Sequence, residues 1–269
     1  MDPRISVVMG IYNCASTLPE ALDSLLNQTY KAFKIIMCDD GSTDNTYEIA
    51  KRYAEKYPFI VLLKNKTNLK LAATLNHCIE YVDTEYIARM DGDDISVPHR
   101  LERLIHFLDS HPEYAFVSSA MIHFDEQGDW KITRKESEPT KESFKWSSPF
   151  CHAPVLMRTA ALRAVGVYTT ESKVERMEDY YLWHKFYRSG YKGFNIQEPL
   201  YRMRDDKNAT TRRRGLSVNY RGYLTDMEIL KNLGIKSFWL VPTLRFLRTI
   251  LIPGFMLHYL RRLKAKFIH

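Results

Sequence analysis

The sequence predicts an α/β protein with a mostly parallel, Rossmann-like sheet flanked by helices. Short apolar runs rich in Val, Ile and Leu, typical of buried parallel strands, recur through residues 5–119. Between these runs, apolar residues recur at helical spacing and the connections are short. With 269 residues, of which 45% are hydrophobic and 26% charged, the chain has the size and composition of a folded globular protein.

The first half contains five predicted strands and four predicted helices. The strands are expected at residues 5–9, 33–38, 59–63, 86–90 and 114–119. The helices are expected from Leu18 to Leu26, from residue 45 through Tyr53, from Leu71 to Val82 and from Leu101 to Leu108. Thr17 and Glu20 form a possible capping box for the first helix, and Pro98 is expected in the first turn of the fourth.

The second half is less regular. Residues 124–150 carry many charges and are predicted to be mainly loop. A short helix is expected near Ala160, and another runs from the acidic pair Glu178–Asp179 through Arg188. The segment GFNIQ reads as a strand, followed by a basic loop over residues 199–214. We therefore predict one continuous domain over residues 1–215 and a helical, basic extension over residues 216–269.

Parallel sheets bind ligands at the carboxyl ends of their strands. This rule selects Tyr12 and Asn13 after the first strand, Asp39 and Asp40 after the second, and residues 91–94 after the fourth. These segments are the candidate binding site.

The sequence Asp91-Gly92-Asp93-Asp94 can direct carboxylate oxygens at one hard cation. Mg²⁺ and Mn²⁺ prefer such oxygen ligands and retain waters that a phosphate replaces. An Asp-Gly turn that caps the next helix is the alternative interpretation of these four residues alone. The spacing does not fit an EF-hand.

Two further acidic segments have both a structural and a functional interpretation. In CDDGSTDNT, Asp39 or Asp40 could accept hydrogen bonds from a base or ribose, although the segment is also an ordinary turn and helix cap. In ERMEDYYLW, Glu178 and Asp179 suit a helix N-terminus, or one of them could be a general base. The chain has neither the GxGxxG pattern after strand one nor a Walker A pattern.

The segments SVVMGIYN, CDDGSTDNT, YIARMDGDD, MEDYYLW and EPLYRMR occur in this order. Together they resemble the inverting glycosyltransferases of family 2, which have the GT-A fold. The resemblance covers roughly residues 5–210 and points to enzymes of bacterial cell-surface polysaccharides. It implies a nucleotide-sugar donor, with a UDP-sugar favoured, and a saccharide or lipid-linked saccharide acceptor. It also implies Mn²⁺ or Mg²⁺.

The resemblance also assigns roles to individual residues. It places the nucleotide at Tyr12, Asn13 and Asp40, the metal and diphosphate at Asp91 and Asp93, and the catalytic base at Asp179, with Glu178 as the next candidate. Arg202 and Arg204 resemble a pyrophosphate-contacting segment. Many relatives carry a glycine soon after the Asn before the third helix, where this chain reads NLKLAATLN. Asn68 and Lys70 are still expected to line the donor site.

Two other classes of protein compete with this interpretation. A sugar nucleotidyltransferase also uses an α/β sheet and acidic metal ligands, but it would normally show a Gly-rich basic loop after strand one. A nucleic-acid-binding protein is suggested by the formal net charge of +7. Against it, the excess of positive charge lies in one tail and no nucleic-acid-binding signature is found, so no nucleic-acid partner is expected.

The tail from Gly234 onward contains no Asp or Glu. Its basic residues are Lys236, Arg245, Arg248, Arg261, Arg262, Lys264 and Lys266. Residues 238–260 are strongly apolar, but Pro242 and Pro253 are expected to break a single helix. We expect two short amphipathic helices on an anionic membrane surface, with packing onto the domain as the alternative. No secretion signal or cysteine pair typical of zinc sites is seen. The expected location is the cytoplasm, peripheral on the inner face of the membrane.

Overall fold

A computed structural model describes residues 2–205 and 216–251 of the chain. Its strands are β1 (Ile5–Ile11), β2 (Phe33–Asp39), β3 (Ile60–Lys64), β4 (Tyr86–Arg89), β5 (Ile95–Ser96), β6 (Phe116–Asp125), β7 (Gly128–Thr133), β8 (Leu156–Arg158) and β9 (Gly193–Arg204). Its helices are α1 (Leu18–Leu26), α2 (Thr46–Lys56), α3 (Leu71–Glu80), α4 (Arg100–Ser110), α5 (Thr159–Ala164), α6 (Glu178–Arg188), α7 (Leu216–Asn232) and α8 (Leu240–Leu251). Short 3₁₀ turns occur at Lys141–Lys145 and Ser172–Val174.

In the described part of the chain, nine strands form one sheet in the order β3-β2-β1-β4-β8-β6-β9-β5, with β7 paired to β6. Strands β1, β2, β3, β4, β6 and β9 run in one direction, whereas β5, β7 and β8 run in the other. The predicted mostly parallel sheet is confirmed. The antiparallel strand β8 lies between β4 and β6 and joins the two halves of the sheet.

Alternating residues of the central strands pack into two apolar layers, one on each face of the sheet. Val7 packs in the layer that contains helices α1 and α4, and Val8 packs in the layer that contains α3, α5, α6 and part of α7. Both side chains are fully buried. Because successive side chains of a strand point to opposite faces, this pattern requires helices on both sides of the sheet, as predicted.

The structure corrects several local predictions in the second half. Residues 124–150 are largely loop, as predicted, but a β6–β7 hairpin that was not predicted begins this segment. The basic segment after GFNIQ is not a loop, since β9 continues through Arg204. It pairs with β6 on one side and with the short β5 on the other, so its backbone hydrogen bonds are made within the sheet. The rest of the predicted basic loop, residues 206–214, lies outside the described residues.

Two predicted helix starts also differ. Thr17 does not form a capping box, because its hydroxyl donates to the carbonyls of Cys14 and Gly92, at 3.3 and 3.0 Å. Glu20 pairs instead with Arg204. Pro98 lies between the short strand β5 and α4 rather than in the first turn of the helix, because the helix begins only at Arg100.

The C-terminal extension is helical within residues 216–251. Ile229 and Leu230 of α7 are fully buried in the apolar layer of α6, so this helix packs on the sheet domain. Pro242 does not break a helix, because it lies in the first turn of α8, where no intrahelical N–H is needed. Pro253 and residues 261–266 lie outside the described residues. The domain boundary after residue 215 stays a prediction.

Candidate active site

The ends of β1 and β2 are held together by side-chain hydrogen bonds. The amide oxygen of Asn13 accepts from the backbone N–H of Thr43 at 2.8 Å, and the backbone N–H of Asn13 donates to Ser42 Oγ at 3.0 Å. Asn13 has a positive φ of 47°, which Asn tolerates better than most residues. Asn13 therefore fixes the turn after β2, and its amide oxygen points at that turn.

Asp40 organises the loop that leads into α3. Its buried carboxylate accepts from Asn65 Nδ2 and Leu69 N, both at 2.8 Å, and from Lys70 N at 3.0 Å. Three donors on one carboxylate fix both its orientation and the path of residues 65–70. A second carboxylate, Asp39, accepts from the backbone N–H of Ser42 at 3.3 Å.

A cavity of about 250 Å³ opens beside Asp40, and we call it the nucleotide-side cavity. It is lined by Gly10, Tyr12, Asp40, Asn68, Lys70, Leu71 and Thr74. Four of the predicted donor-site residues, Tyr12, Asp40, Asn68 and Lys70, thus meet in one place. Asn13 lies next to the cavity but is not among its lining residues.

Lys70 has a backbone conformation that is unusual for a residue with a side chain. Its φ is 73° and its ψ is 164°, a region populated almost only by glycine. The segment NLKLAATLN, in which many relatives carry a glycine and this chain does not, therefore contains a strained residue. The hydrogen bond from Lys70 N to Asp40 helps to hold this conformation.

Asp91, Asp93 and Asp94 form an acidic cluster at the end of β4. One carboxylate oxygen from each lies within 4.8 Å of the others. Gly92 brings the cluster against the end of β1, because a Cβ at this position would lie 2.7 Å from Cys14 Sγ. The cluster therefore depends on close backbone packing that a side chain at residue 92 would prevent.

Arg89 orients the first carboxylate of the cluster. Its guanidinium pairs with both oxygens of Asp91, one of them at 2.6 Å, and is almost fully buried. The buried Tyr201 accepts from the backbone N–H of Asp91 at 3.1 Å. Arg100 lies over the Tyr201 ring and donates to the carbonyl of Arg89 at 3.1 Å. These three side chains form a rigid support beneath the acidic cluster.

The two following carboxylates have raised pKa values. Surrounding protein atoms and the charge of Asp91 raise the pKa of Asp93 to about 6, although part of the residue is open to solvent. Burial and the charges of Asp91 and Asp93 raise the pKa of Asp94 well above its ordinary value. Asp94 also accepts from the backbone N–H of Arg204 at 2.8 Å, which joins the cluster to β9. Such repulsion favours binding of a cation between the carboxylates.

Arg202 and Arg204 are both held by neighbouring groups in this structure. Arg202 pairs with Asp129 at 2.5 Å, and Arg204 pairs with Glu20 and donates from Nε to the carbonyl of Asp93 at 2.9 Å. Both guanidinium groups lie 4.6 Å from the centre of the Phe124 ring. Arg204 therefore borders the acidic cluster directly, whereas Arg202 extends toward the β6–β7 hairpin.

Asp179 lies in the first turn of α6, near the acidic cluster. Burial raises the pKa of the Tyr168 hydroxyl, and Asp179, Glu178, Asp91 and Arg89 all exert charge effects on it. Tyr168 also forms a 2.7 Å hydrogen bond with His152 Nε2, and burial and Arg89 hold the pKa of His152 well below its ordinary value. Asp179, the predicted base, and Asp91 of the acidic cluster therefore both act on the same buried phenol through their charges.

The neighbouring Glu178 has a different environment. Burial raises its pKa, and its Oε2 atom is buried without a hydrogen-bond partner among the described residues. A raised pKa makes a carboxylate a stronger base, so Glu178 is the alternative to Asp179 for proton transfer.

Sequence patterns did not identify Arg89, Tyr201, His152 and Tyr168. Arg89 lies within the apolar run YIARM, and a charged residue in a buried strand is the signal that could have revealed it, since buried Arg requires a partner. The other three are ordinary core residues by sequence. Their proximity depends on β8 and β9, which lie far away in the chain.

A mostly parallel α/β sheet with a cavity and an acidic cluster at the carboxyl ends of its strands has the architecture of glycosyltransferases of the GT-A class. Comparison with known proteins agrees. The sequence profile described as glycosyl transferase family 2 matches residues 6–169, and the chain belongs to this family.

Individual relatives and solved structures narrow the context. The chain is 46% identical over 212 residues to the putative glycosyltransferase EpsE of Bacillus subtilis, covering 78% of this chain and 76% of EpsE. It is 27% identical over 235 residues to the Escherichia coli UDP-Glc:alpha-D-GlcNAc-diphosphoundecaprenol beta-1,3-glucosyltransferase WfaP, covering 87% and 88%. The crystal structure of S. aureus TarS with UDP-GlcNAc matches with a TM-score of 0.69 and 19% identity, covering 93% of this chain and 81% of that one. The chain is thus a family-2 glycosyltransferase of polysaccharide or glycolipid biosynthesis.

Proposed function

We propose that the protein transfers a sugar, with inversion, from a UDP-sugar to a hydroxyl of a lipid-linked saccharide. The observation that carries this proposal is that the acidic cluster, at the carboxyl end of β4, lies on the same sheet edge as the nucleotide-side cavity at the ends of β1 and β2. A donor bound along this edge would have its base in the cavity, its diphosphate at the cluster and its sugar facing Asp179.

The acidic cluster fits a divalent cation. It offers three carboxylates within reach of one another, and burial together with charge repulsion raises the pKa values of Asp93 and Asp94. Asp93 is the most accessible of the three, while Asp91 is oriented by Arg89 and Asp94 by the backbone of β9. Mg²⁺ or Mn²⁺ held here would neutralise charge on the leaving diphosphate.

The protein's own residues have distinct parts in the reaction. Asp179 accepts the proton of the acceptor hydroxyl, which is a poor nucleophile unless it is deprotonated as it attacks. Arg204 lies beside Asp93 and could exchange Glu20 for a phosphate oxygen, because guanidinium binds both kinds of oxyanion. Arg202 is proposed as an outer pyrophosphate contact. Attack on the face opposite the leaving group inverts the anomeric centre.

Asp40 favours uracil over guanine as the donor base. A carboxylate has about four acceptor positions, and three are occupied by Asn65, Leu69 and Lys70. One position remains, on the side of Oδ2. Uracil offers a single N–H at this edge, whereas guanine offers two adjacent donors. The UDP-Glc donor that gives WfaP its name is consistent with the same choice.

The test is a donor panel with direct detection of the product. The full chain is incubated with UDP-, GDP- and CDP-sugars, with Mn²⁺ or EDTA, and with a GlcNAc-diphospholipid acceptor. Transfer from a UDP-sugar that requires the metal is expected. Transfer of a nucleotidyl group to a sugar phosphate would instead favour the sugar nucleotidyltransferase, and equal transfer in EDTA would contradict the metal's role.

We further propose that the enzyme acts on the cytoplasmic face of a membrane, in contact with anionic lipid through α8. Trp239, Leu240, Leu244 and Leu247 are each at least 42% exposed, and the three leucines share one helical face. Arg245 lies on another side of α8 and pairs with Asp226 of α7 at 3.2 Å, so it is not a headgroup contact as the sequence suggested. Within the described residues, no helix is both long enough and apolar enough to span a membrane.

Liposome flotation tests this membrane contact. The triple substitution Leu240→Gln, Leu244→Gln and Leu247→Gln should reduce binding to anionic vesicles without changing the melting temperature greatly. Ile132→Gln, at a comparably exposed apolar position on β7, is the matched control. If the triple variant floats as well as the native chain, α8 is not the membrane contact.

A further inference from the structure

A second cavity, of about 190 Å³, lies next to the nucleotide-side cavity, and we call it the acidic cavity. Its walls are the start of α3 and the segment before α6. Its lining residues are Leu69, Lys70, Ala72, Ala73, Thr169, Thr170, Glu171, Ser172, Val174, Glu175 and Glu178. Lys70 lines both cavities, and Glu178 is the direct neighbour of Asp179. The acidic cavity thus adjoins both the donor site and the proposed base.

The chemistry of this wall favours an uncharged polar ligand over a phosphate group. The wall includes three carboxylates, but Glu171 pairs with Lys173 at 3.5 Å and Glu175 pairs with Arg221 at 3.9 Å, so it offers oxygen acceptors with little net charge. A sugar ring suits the wall better, because its hydroxyls donate to carboxylates and to Thr and Ser oxygens. Its C–H face can pack on Ala72 and Ala73. The buried, unpartnered Oε2 of Glu178 supplies an acceptor without a donor.

The cavity wall is held in place by α7. Thr225 Oγ1 donates to the carbonyl of Lys173 at 2.9 Å, and Arg221 Nη1 donates to the carbonyl of Ser172 at 3.3 Å. The ammonium of Lys173 pairs with Glu228 at 3.1 Å. Because α7 itself is anchored by buried Ile229 and Leu230, the 3₁₀ turn at Ser172–Val174 is fixed to the core rather than left as a free loop. A cavity whose wall is fixed to the core in this way is preformed before a ligand binds.

We propose that the acidic cavity binds the uncharged terminal sugar of the acceptor and that α7 positions its wall. The inference rests on the proposed glycosyltransferase function and identifies where its second substrate lies. The carboxylates of the wall accept hydrogen bonds from sugar hydroxyls but have none to donate to a phosphate, so the sugar enters the cavity and the acceptor's diphosphate stays outside. An acceptor hydroxyl entering from this side reaches the first turn of α6, where Asp179 lies.

Filling the cavity tests the proposal directly. Ala73→Leu retains a strong helix former and adds volume toward the cavity. Binding of methyl glycosides of glucose, galactose and N-acetylglucosamine to the full chain with UDP and Mn²⁺ is measured by saturation-transfer NMR. The variant should weaken glycoside binding by about tenfold or more and leave the UDP Kd unchanged. Ala164→Leu, at an exposed position of α5, is the matched control and should change neither.

A second variant tests the positioning role of α7. Thr225→Val keeps the shape of the side chain and removes its hydrogen bond to Lys173, so glycoside binding should weaken about two- to threefold with UDP binding unchanged. Unchanged glycoside binding by Ala73→Leu would overturn the proposal, as would an equal loss of UDP binding. Unchanged glycoside binding by Thr225→Val would overturn the role of α7. A native chain that binds glycosides but transfers no sugar from any donor would instead overturn the proposed function.

Discussion

The nucleotide-side cavity and the acidic cavity share Lys70 but are built in different ways. The first is formed by residues 10–12, 40 and 68–74, and its central carboxylate, Asp40, accepts hydrogen bonds from residues no more than 30 positions away. The second depends on contacts between residues 172–173 and α7, about 50 positions later. The proposed donor side is therefore specified by local motifs, and the proposed acceptor side by packing between distant segments.

The largest expected effect concerns the acidic cluster on the donor side. Asp93→Asn removes a charge but keeps the shape of the side chain, so transfer should fall by about a thousandfold or more while the fold is retained. Activity is measured with saturating Mn²⁺, and the fold by circular dichroism. Asp125→Asn, at the β6–β7 turn, is the charge-matched control. Near-native turnover by Asp93→Asn would show that the cluster does not hold the metal.

The next effect concerns Asp179, the sequence neighbour of Glu178 in the wall of the acidic cavity. Asp179→Asn should reduce kcat about a hundredfold or more, because the amide cannot accept the acceptor's proton, and should leave donor binding unchanged. The measurement is the acceptor-dependent rate together with the Kd for UDP. Glu178→Gln is the paired variant. If it loses the rate while Asp179→Asn keeps it, then Glu178 is the base.

The smallest effect concerns stability on the acceptor side. His184 of α6 is buried with no hydrogen-bond partner on either ring nitrogen among the described residues, and its ring lies 5.2 Å from that of Tyr181. Burial, together with the charges of Arg188, Lys185 and Lys173, lowers its pKa to about 4, against an opposing effect of Glu228. The unfolded chain, with an ordinary pKa near 6.5, therefore takes up this proton first as the pH falls.

The sign of the pH effect follows from this difference. The contribution of His184 to stability is complete above about pH 6.5 and declines as the pH falls toward 4. The melting temperature should fall over this window, and His184→Leu should reduce the loss by on the order of 1 kcal/mol at pH 5. The exposed His106→Leu is the control. Identical pH profiles for the native chain and His184→Leu would contradict the assignment.

The same contrast explains how much could be predicted from the sequence. Strands β1 to β4 were predicted to within about two residues, because buried parallel strands are continuous apolar runs. The β6–β7 hairpin was missed because its exposed strand β7 carries charges typical of a loop. Family motifs led to Asp40, which lines the nucleotide-side cavity, and to Asp91 and Asp93, which lie in the acidic cluster. The roles proposed for these residues stay predictions.

The residues that support the site could not be predicted in this way. Arg89 and Tyr201 come from strands that are distant in the sequence. Tyr201 contacts Asp91, which lies 110 positions earlier in the chain. The acidic cavity involves Thr225, which no short motif connects to Lys173. Such contacts depend on the order of strands in the sheet and on the docking of α7, and neither follows from periodicity alone.

Lys70 has a consequence for engineering the enzyme. Its backbone occupies a region that costs a side-chain-bearing residue about 1–3 kcal/mol, so Lys70→Gly should make the protein more heat-resistant. The same change removes the one ammonium shared by the walls of the two cavities. Selection for thermal tolerance alone would thus favour a variant that has lost part of its substrate contact. A screen for durable variants of this enzyme must therefore measure turnover at the same time.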